Sequence, residues 1–456
     1  MPTPPADPPS WVAEPRMSEM ETMFWRGETD PRIRVTVLAV EVLDRAPDWE
    51  RLVRRHELTS RLVPRLRQRV VEPPLRLGRP WWRDDPLFDL AHHLRRVRLP
   101  APGATRQLLD LAGTAASAPF DRTRPLWEAI LVEGLDGDRA AYVLKLHHSL
   151  CDGIGAAQLA AVLHEAATPD HPVGPIRHPE PPAADGAVSE RARAAKLLSA
   201  VLGAPRSAHA VLKATVLPAA APSPLLSGRS RTRSLSTMTL PTADLRAVGR
   251  AVGGSMNDAY LALLLGAFGR YHEHFGVRRA ELPVLMPIST RTARSALGGN
   301  QFASHRLAGP MCGAGFAERV RLVRAAVAAV RGGTALGALG VLARCATPLP
   351  APVIAAAEKM LFRGNDLIAS NFPGTPERVR LAGALVEAVY PFAPVVLGAA
   401  NAVLVSYAAN CHIGVNLDPA AIREPLLLME FLHREWEEAR ERFGRAGSSR
   451  GAGPQG

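Results

Sequence analysis

The sequence predicts an α/β fold, with α+β as its looser form, built as two halves that each combine a sheet with helices. Three observations carry this. Apolar residues recur with strand-like or helix-like spacing in alternating segments of both halves. A Pro- and Ala-rich stretch without such a pattern separates them. In the first half, a strand, a two-histidine loop and a helix follow one another directly. At 456 residues the chain has room for two or three domains of about 150 residues each, and 47% hydrophobic residues supply sizeable cores.

Residues 1–16 are Pro-rich, read as disordered, and lack the basic-plus-apolar pattern of a signal peptide. The first domain spans 17–168. Its clearest pattern is the strand Ala141–Leu146, followed by Ala156, Leu159, Ala160 and Leu163 at helical spacing. Residues 169–233 form a Pro/Ala-rich basic linker. Between Arg191 and Arg233 lie eight basic residues and no acidic one. Leu197, Leu198, Val201 and Leu202 cluster there, so this stretch could lie as an amphipathic helix on anionic membrane. A helix packing the same face on the protein is the commoner arrangement. The second domain spans 234–443. Helices are expected over Asn257–Phe268, Phe316–Val330 and Leu426–Arg442, and strands over Leu282–Met286 and Ala402–Ser406. Residues 444–456 form a Gly/Ser-rich tail, read as disordered.

Composition narrows the classes. The formal charge is +12, and all but four of the 55 basic residues are Arg. Such a surface suits phosphates, as in CoA or anionic lipid headgroups; no nucleic-acid-binding motif accompanies it. Cys151, Cys312, Cys345 and Cys411 are widely spaced, which fits reduced thiols in the cytoplasm and no metal site. The longest apolar run, Leu385–Tyr407, is broken by Glu387, Pro391 and Pro394, too short for a membrane span. Gly447–Gly451 formally matches GxSxG, but that motif needs a strand-to-helix turn and this copy lies in the tail.

The chemistry concentrates at His147-His148-Ser149-Leu150-Cys151-Asp152-Gly153, an HHxxxDG stretch at the end of a strand. A histidine there can take a proton from an alcohol near neutral pH and return it to a leaving group. His92-His93 serves as an internal contrast: no Asp-Gly follows it, and a structural role is the better reading. Gly153 is expected to allow a tight backbone turn that a Cβ would strain. Asn257 and Asp258 stand before an apolar run, where helix capping competes with a role beside the reacting atoms.

Further segments add to this stretch in a fixed order: Pro125-Leu126-Trp127, Met256-Asn257-Asp258, Pro287 to Arg291 with Gly299-Asn300, Ser370-Asn371-Phe372-Pro373-Gly374, Ser406-Tyr407 and Gly414 to Asp418. In this order they resemble the bacterial wax ester synthase/diacylglycerol acyltransferase family, within the CoA-dependent acyltransferases of the chloramphenicol-acetyltransferase-like fold. The likeness runs over roughly residues 17–430. Met20-Glu21-Thr22 and Ala408-Ala409-Asn410-Cys411 depart from the family pattern.

The resemblance implies two chloramphenicol-acetyltransferase-like domains, each a mixed sheet flanked by helices, with an active-site channel between them. It implies acyl transfer from acyl-CoA to diacylglycerol or a fatty alcohol, with acyl-CoA as substrate and no resident cofactor or metal. His148 would be the general base, with His147, Asp152 and Gly153 completing the catalytic loop. Asp152 would point away from His148 to pair with Arg291, while Asn257 and Asp258 support the site. Pro125, Leu126 and Trp127, grouped with the substrate-binding residues, would shape the core or the acyl channel, while Ser370, Asn371 and Gly374 would line the CoA side, with a simple Pro-Gly turn as the competing reading. A carrier-bound acyl donor, and a non-catalytic lipid-droplet binding protein, are the competing readings. The expected location is the cytoplasm, with a peripheral hold on the inner membrane or lipid droplets as the membrane variant.

Overall fold

Two mixed sheets covered by helices form the framework of the computed structural model, which describes residues 11, 14–28, 30–76, 78–166, 219–292, 295–311, 315–331 and 351–444. The first sheet has the order β4 (Leu94–Arg98), β5 (Trp127–Glu133), β6 (Ala140–His147), β1 (Thr36–Leu43), β13 (Ala384–Phe392), β12 (Val379–Leu381) and β7 (Glu165–Ala166). The second has the order β10 (Phe302–Pro310), β9 (Glu281–Ser289), β11 (Leu367–Pro373), β14 (Ala400–Tyr407), β15 (Asn410–Leu417) and β8 (Ser234–Pro241). A separate ribbon joins β2 (Gln68–Val71) to β3 (Trp81–Asp84).

The strand leading into the two histidines is buried along its whole length. A near-continuous apolar run needs cover on both faces, and β6 has it. One face packs with α2 (Trp49–Leu62) and α5 (Gly153–Leu163), the other with α4 (Thr105–Ser117). Its one cation, Lys145, is buried and pairs with Glu128 at 3.1 Å. The other helices of this half are α1 (Glu19–Gly27) and the single turn α3 (Leu90–His93).

In the second half, the expected helix from Asn257 extends over α7 (Met256–His274). It is apolar on nearly every side because it runs through the core. Around it pack α6 (Thr242–Ala251), α8 (Phe316–Arg331) and α10 (Pro425–Phe443). The last helix, α9 (Ala351–Phe362), instead crosses to pack on α1.

The division of the chain at the linker is crossed by the sheets. β12 and β13 come from the C-terminal half yet lie in the first sheet, where β13 pairs with β1 from Leu38–Phe392 to Leu43–Val386. The segments read as disordered or linking are partly built in. Trp11 bridges to Leu297, and Arg16 bridges to Trp81 and stacks on its ring. Arg229 and Arg233, assigned to a basic linker, are buried or half-buried and pair with Asp366 and Asp418. Those two arginines serve the fold and not a membrane face. The amphipathic cluster at 197–202, the GxSxG copy, Cys312 and Cys345 lie outside the described residues. Among the described residues no helix is long and apolar enough to cross a membrane.

Two core histidines make stability pH-dependent. His56 donates from Nδ1 to the Leu52 carbonyl and accepts the Tyr142 hydroxyl at 2.7 Å, and burial pushes its pKa down to about 4. Burial does the same to His412, also to about 4. Both are protonated near pH 6.5 once unfolded. Their contribution is therefore complete above that pH and is lost as the pH falls toward about 4. At about 1.4 kcal/mol per unit, each amounts to about 3 kcal/mol. Denaturant midpoints should fall steadily between pH 7 and 4.5; a flat midpoint over that range would contradict the assignment.

Candidate active site

Between the two sheets lies a cavity of about 230 Å³ with contributions from β1, β6, α5, β9, β10, β11 and β14. His148 is on its wall, one residue beyond the end of β6. The loop leaves the strand because His148 N–H donates to Val35 O and Leu150 N–H to His147 O. Asp152 then caps the next helix, its Oδ1 accepting from Gly155 N–H at 2.8 Å.

The ring of His148 is held by two mutually stacked phenylalanines and an asparagine. Phe24 and Phe302 pack on it with centroid separations of 4.8 and 5.7 Å. Asn300 fixes its tautomer. Asn300 Nδ2 donates to the His148 carbonyl at 2.7 Å, which turns Oδ1 toward the ring, 2.9 Å from Nδ1. An amide oxygen only accepts, so Nδ1 carries the hydrogen and Nε2 keeps its lone pair. Burial lowers the pKa of His148 below the ordinary histidine value, against the opposing pull of Asp152. A half-buried, neutral imidazole with a fixed tautomer is suited to accept a proton.

His147 faces elsewhere. Its Nδ1 accepts from Ser149 N–H at 3.1 Å and lies 2.7 Å from Ser149 Oγ, while Nε2 is 3.3 Å from Glu28 Oε2. Burial opposes ionisation of Glu28, yet His147 and the Val35 amide together hold its carboxyl below the usual value. Glu28, His147 and Ser149 thus form a Ser–His–acid array. It is buried beneath Trp25 and Phe120 and absent from the cavity wall, so it braces the loop. Cys151 is buried too, and burial pushes its thiol well up.

Asp152 and Arg291 join the halves. Arg291 Nη2 donates to Asp152 Oδ1 at 2.9 Å and to the Gly298 and Gly299 carbonyls at 2.7 and 2.8 Å; its Nη1 donates to the Ala296 carbonyl. Asp152 Oδ2 accepts from Gln301 N–H, and Asp152 N–H donates to Gly299 O. The hydrogen bonds of this carboxylate are architectural, capping α5 and fastening the segment bearing Asn300 beside His148, while its charge, at the cavity wall, favours the protonated form of His148.

Other sequence-predicted residues are distributed differently from the expectation. Gly153 has ordinary helical backbone, not a strained turn; a Cβ there would meet the Phe372 ring at 3.4 Å. Leu126 and Trp127 are buried in the core and, like Pro125, are absent from the cavity wall. Trp127 stacks on His93 at 4.7 Å, and His93 donates from Nδ1 to its carbonyl, which makes His93 architectural. Asp258 forms the capping box of α7 with Ser255. Asn257 is off the wall, its Oδ1 accepting from Asn371 Nδ2 at 3.4 Å. Ser370, Asn371 and Gly374 do line the cavity. Asn300 is the functional residue missing from the sequence-based set; Gly299-Asn300 is visible as a motif, but its partner lies 152 positions away.

Comparison with known proteins places this arrangement. The wax ester synthase/diacylglycerol acyltransferase catalytic domain matches residues 17–260, and the C-terminal domain of the same family matches 298–439. A Mycobacterium tuberculosis protein, provisionally named a diacylglycerol O-acyltransferase, is 36% identical across 93% of this chain and 92% of its own length. Another from that species, named a probable diacylglycerol O-acyltransferase, is 29% identical over 88% of this chain and 90% of its own. The wax ester synthase/diacylglycerol acyltransferase of Marinobacter aquaeolei VT8 superposes with a TM-score of 0.66 at 22% identity, covering 94% of this chain and all of that one. The first condensation domain of the calcium-dependent antibiotic synthetase gives 0.60 at 18% identity, covering 95% and 98%. These two likenesses establish a shared two-domain fold. The chain belongs to the wax ester synthase/diacylglycerol acyltransferase family and is an O-acyltransferase.

Proposed function

We propose that the protein transfers a long-chain acyl group from acyl-CoA to diacylglycerol or a fatty alcohol, forming triacylglycerol or wax ester, with His148 as general base. The observation that carries this is His148 on the wall of an apolar cavity between the sheets, with Nδ1 committed to Asn300 and Nε2 unprotonated. In the step, Nε2 takes the proton of the acceptor hydroxyl as its oxygen attacks the thioester carbonyl. The tetrahedral intermediate collapses, the C–S bond breaks, and the imidazolium returns the proton to the CoA sulfur. No covalent acyl-enzyme is required, and acyl-CoA enters as substrate.

Product analysis tests the reading. Purified protein given palmitoyl-CoA with diacylglycerol or hexadecanol should form triacylglycerol or palmityl palmitate. Absence of both products, with the protein folded, would refute it.

Asn300 acts through His148 as a positioning residue. Asn300→Ala should lower kcat by about tenfold, in line with loss of about one hydrogen bond at 1–1.5 kcal/mol. Asn300→Asp puts a carboxylate beside Nδ1–H, which favours the imidazolium. Its acid limb of kcat/KM should move to higher pH than wild type; an unmoved limb would remove Asn300 from the account.

A further inference from the structure

The cavity has a far end. Along β1, Val37, Ala39 and Glu41 face it, alternating with residues of the opposite face, and Leu146, Leu144 and Tyr142 lie beside them on β6. Along α5, Ala156, Ala157, Ala160 and Ala161 line it, and His164 follows directly after the helix. Both elements start beside His148: Val35 accepts its backbone N–H, and Gly153 opens α5. Both finish at one buried pair, His164 Nε2 and Glu41 Oε2, 3.0 Å apart.

We propose that this pair is the floor of the acyl channel and sets the longest donor the enzyme handles well. The inference rests on the function proposed above. From Val35 to Glu41 is six residues of strand, about 20 Å at about 3.3 Å each. From Gly153 to His164 is eleven residues of helix, about 16 Å at 1.5 Å each. An extended alkyl chain of carbons joined by bonds of about 1.5 Å advances about 1.3 Å per methylene. The two walls therefore agree on about 12 to 15 carbons between the reacting carbonyl and the floor.

Between His148 and the floor, alanine faces from α5 keep the channel open, and the β1 and β6 faces are apolar until Glu41. A methyl end gains by leaving water along this wall but gains nothing by parting a satisfied buried pair, which would leave both partners unpaired. The floor is also braced from outside. Arg55 on α2 donates Nε to the Leu163 carbonyl at 2.9 Å and Nη2 to those of Val162 and His164 at 2.8 and 2.7 Å. These hold the last turn of α5 in place. The position of the pair, and not the surface area of the channel, is then the ruler.

The test is the donor chain-length profile of the full-length protein, read as CoA release from C6 to C22 acyl-CoAs with hexadecanol fixed. Wild type should peak near C14–C16 and fall beyond. Glu41→Ala/His164→Ala removes both partners together and should move the fall-off outward by two to four carbons. Glu41→Leu/His164→Leu keeps the bulk and should leave it in place. Ala157→Phe blocks the channel a turn beyond Gly153 and should raise the ratio of C6 to C16 turnover at least tenfold. Melting curves check that each variant is folded. A fall-off unmoved in the double-alanine protein would overturn the pair as the ruler, and a wild-type profile in Ala157→Phe would overturn the channel itself. So would a change confined to the length of alcohol accepted, which would place the acceptor in this channel. If wild type turns over no donor at all, the proposed function fails first; the ruler is then read from chain-length-dependent thermal shifts with the same acyl-CoAs, and identical shifts for wild type and Ala157→Phe would overturn it separately.

Discussion

His148→Ala should lower acyl transfer by 10²- to 10⁴-fold, the usual loss when a positioned general base is removed, while melting temperature and acyl-CoA affinity stay near wild type. The ring makes one side-chain hydrogen bond, to Asn300, and packs on Phe24 and Phe302 at the cavity wall. Its removal enlarges a space that is already open, so the stability cost should be small. The counterpart His147→Ala separates chemistry from bracing. His147 is fully buried against Glu28 and Ser149, so its loss should lower the melting temperature first and activity through it. Steady-state rates together with melting curves distinguish the two. Equal activity losses with equal destabilisation would remove the distinction between base and brace.

Arg291→Ala is the second large effect. The guanidinium is 1% exposed and donates to the Asp152 carboxylate and to three carbonyls. Removing one member of a buried pair costs about 3–5 kcal/mol because the partner charge stays behind. Here three carbonyls lose their donor as well, so the cost should lie at the upper end. Activity should fall with it, since the fastened segment, Gly298 to Gln301, is what carries Asn300 to His148. Arg291→Lys should rescue little, because a single ammonium cannot reproduce the fork of donors. Denaturant midpoints and kcat provide the measurement. An Arg291→Ala protein as stable and active as wild type would show that the halves are held elsewhere.

Much of the architecture was legible in the chain because local pattern and burial agree there. The strand before His147 and the helix from Met256 show as apolar runs of strand and helix length, and the helix at Pro425–Phe443 alternates apolar and charged faces. Pairing across the chain carries no such local mark. Nothing near Ala384–Phe392 shows that it pairs with β1, more than 340 positions away, so the boundary between halves was drawn in sequence but not in space. The motif located His148, whereas the roles of its neighbours depended on direction. His147 and His148 are adjacent, yet a residue at a strand end points opposite to the next, and one meets Glu28 while the other meets the cavity. Trp127 reads from its motif as shaping either the core or the channel, and only its surroundings decide: its indole Nε1–H is satisfied by the Leu66 carbonyl at 2.8 Å inside the core. Glu41 and His164 carry no motif at all; only the fold places them at one end of a channel.

The most direct test of the central claim is rapid-mixing CoA release from palmitoyl-CoA, with and without hexadecanol, followed by intact-protein mass. Direct transfer through His148 predicts no rapid release without acceptor, an unchanged protein mass, and steady release once hexadecanol is present. One equivalent of CoA released without acceptor, with a palmitoyl group added to the protein, would contradict it and assign the chemistry to a nucleophile on the chain.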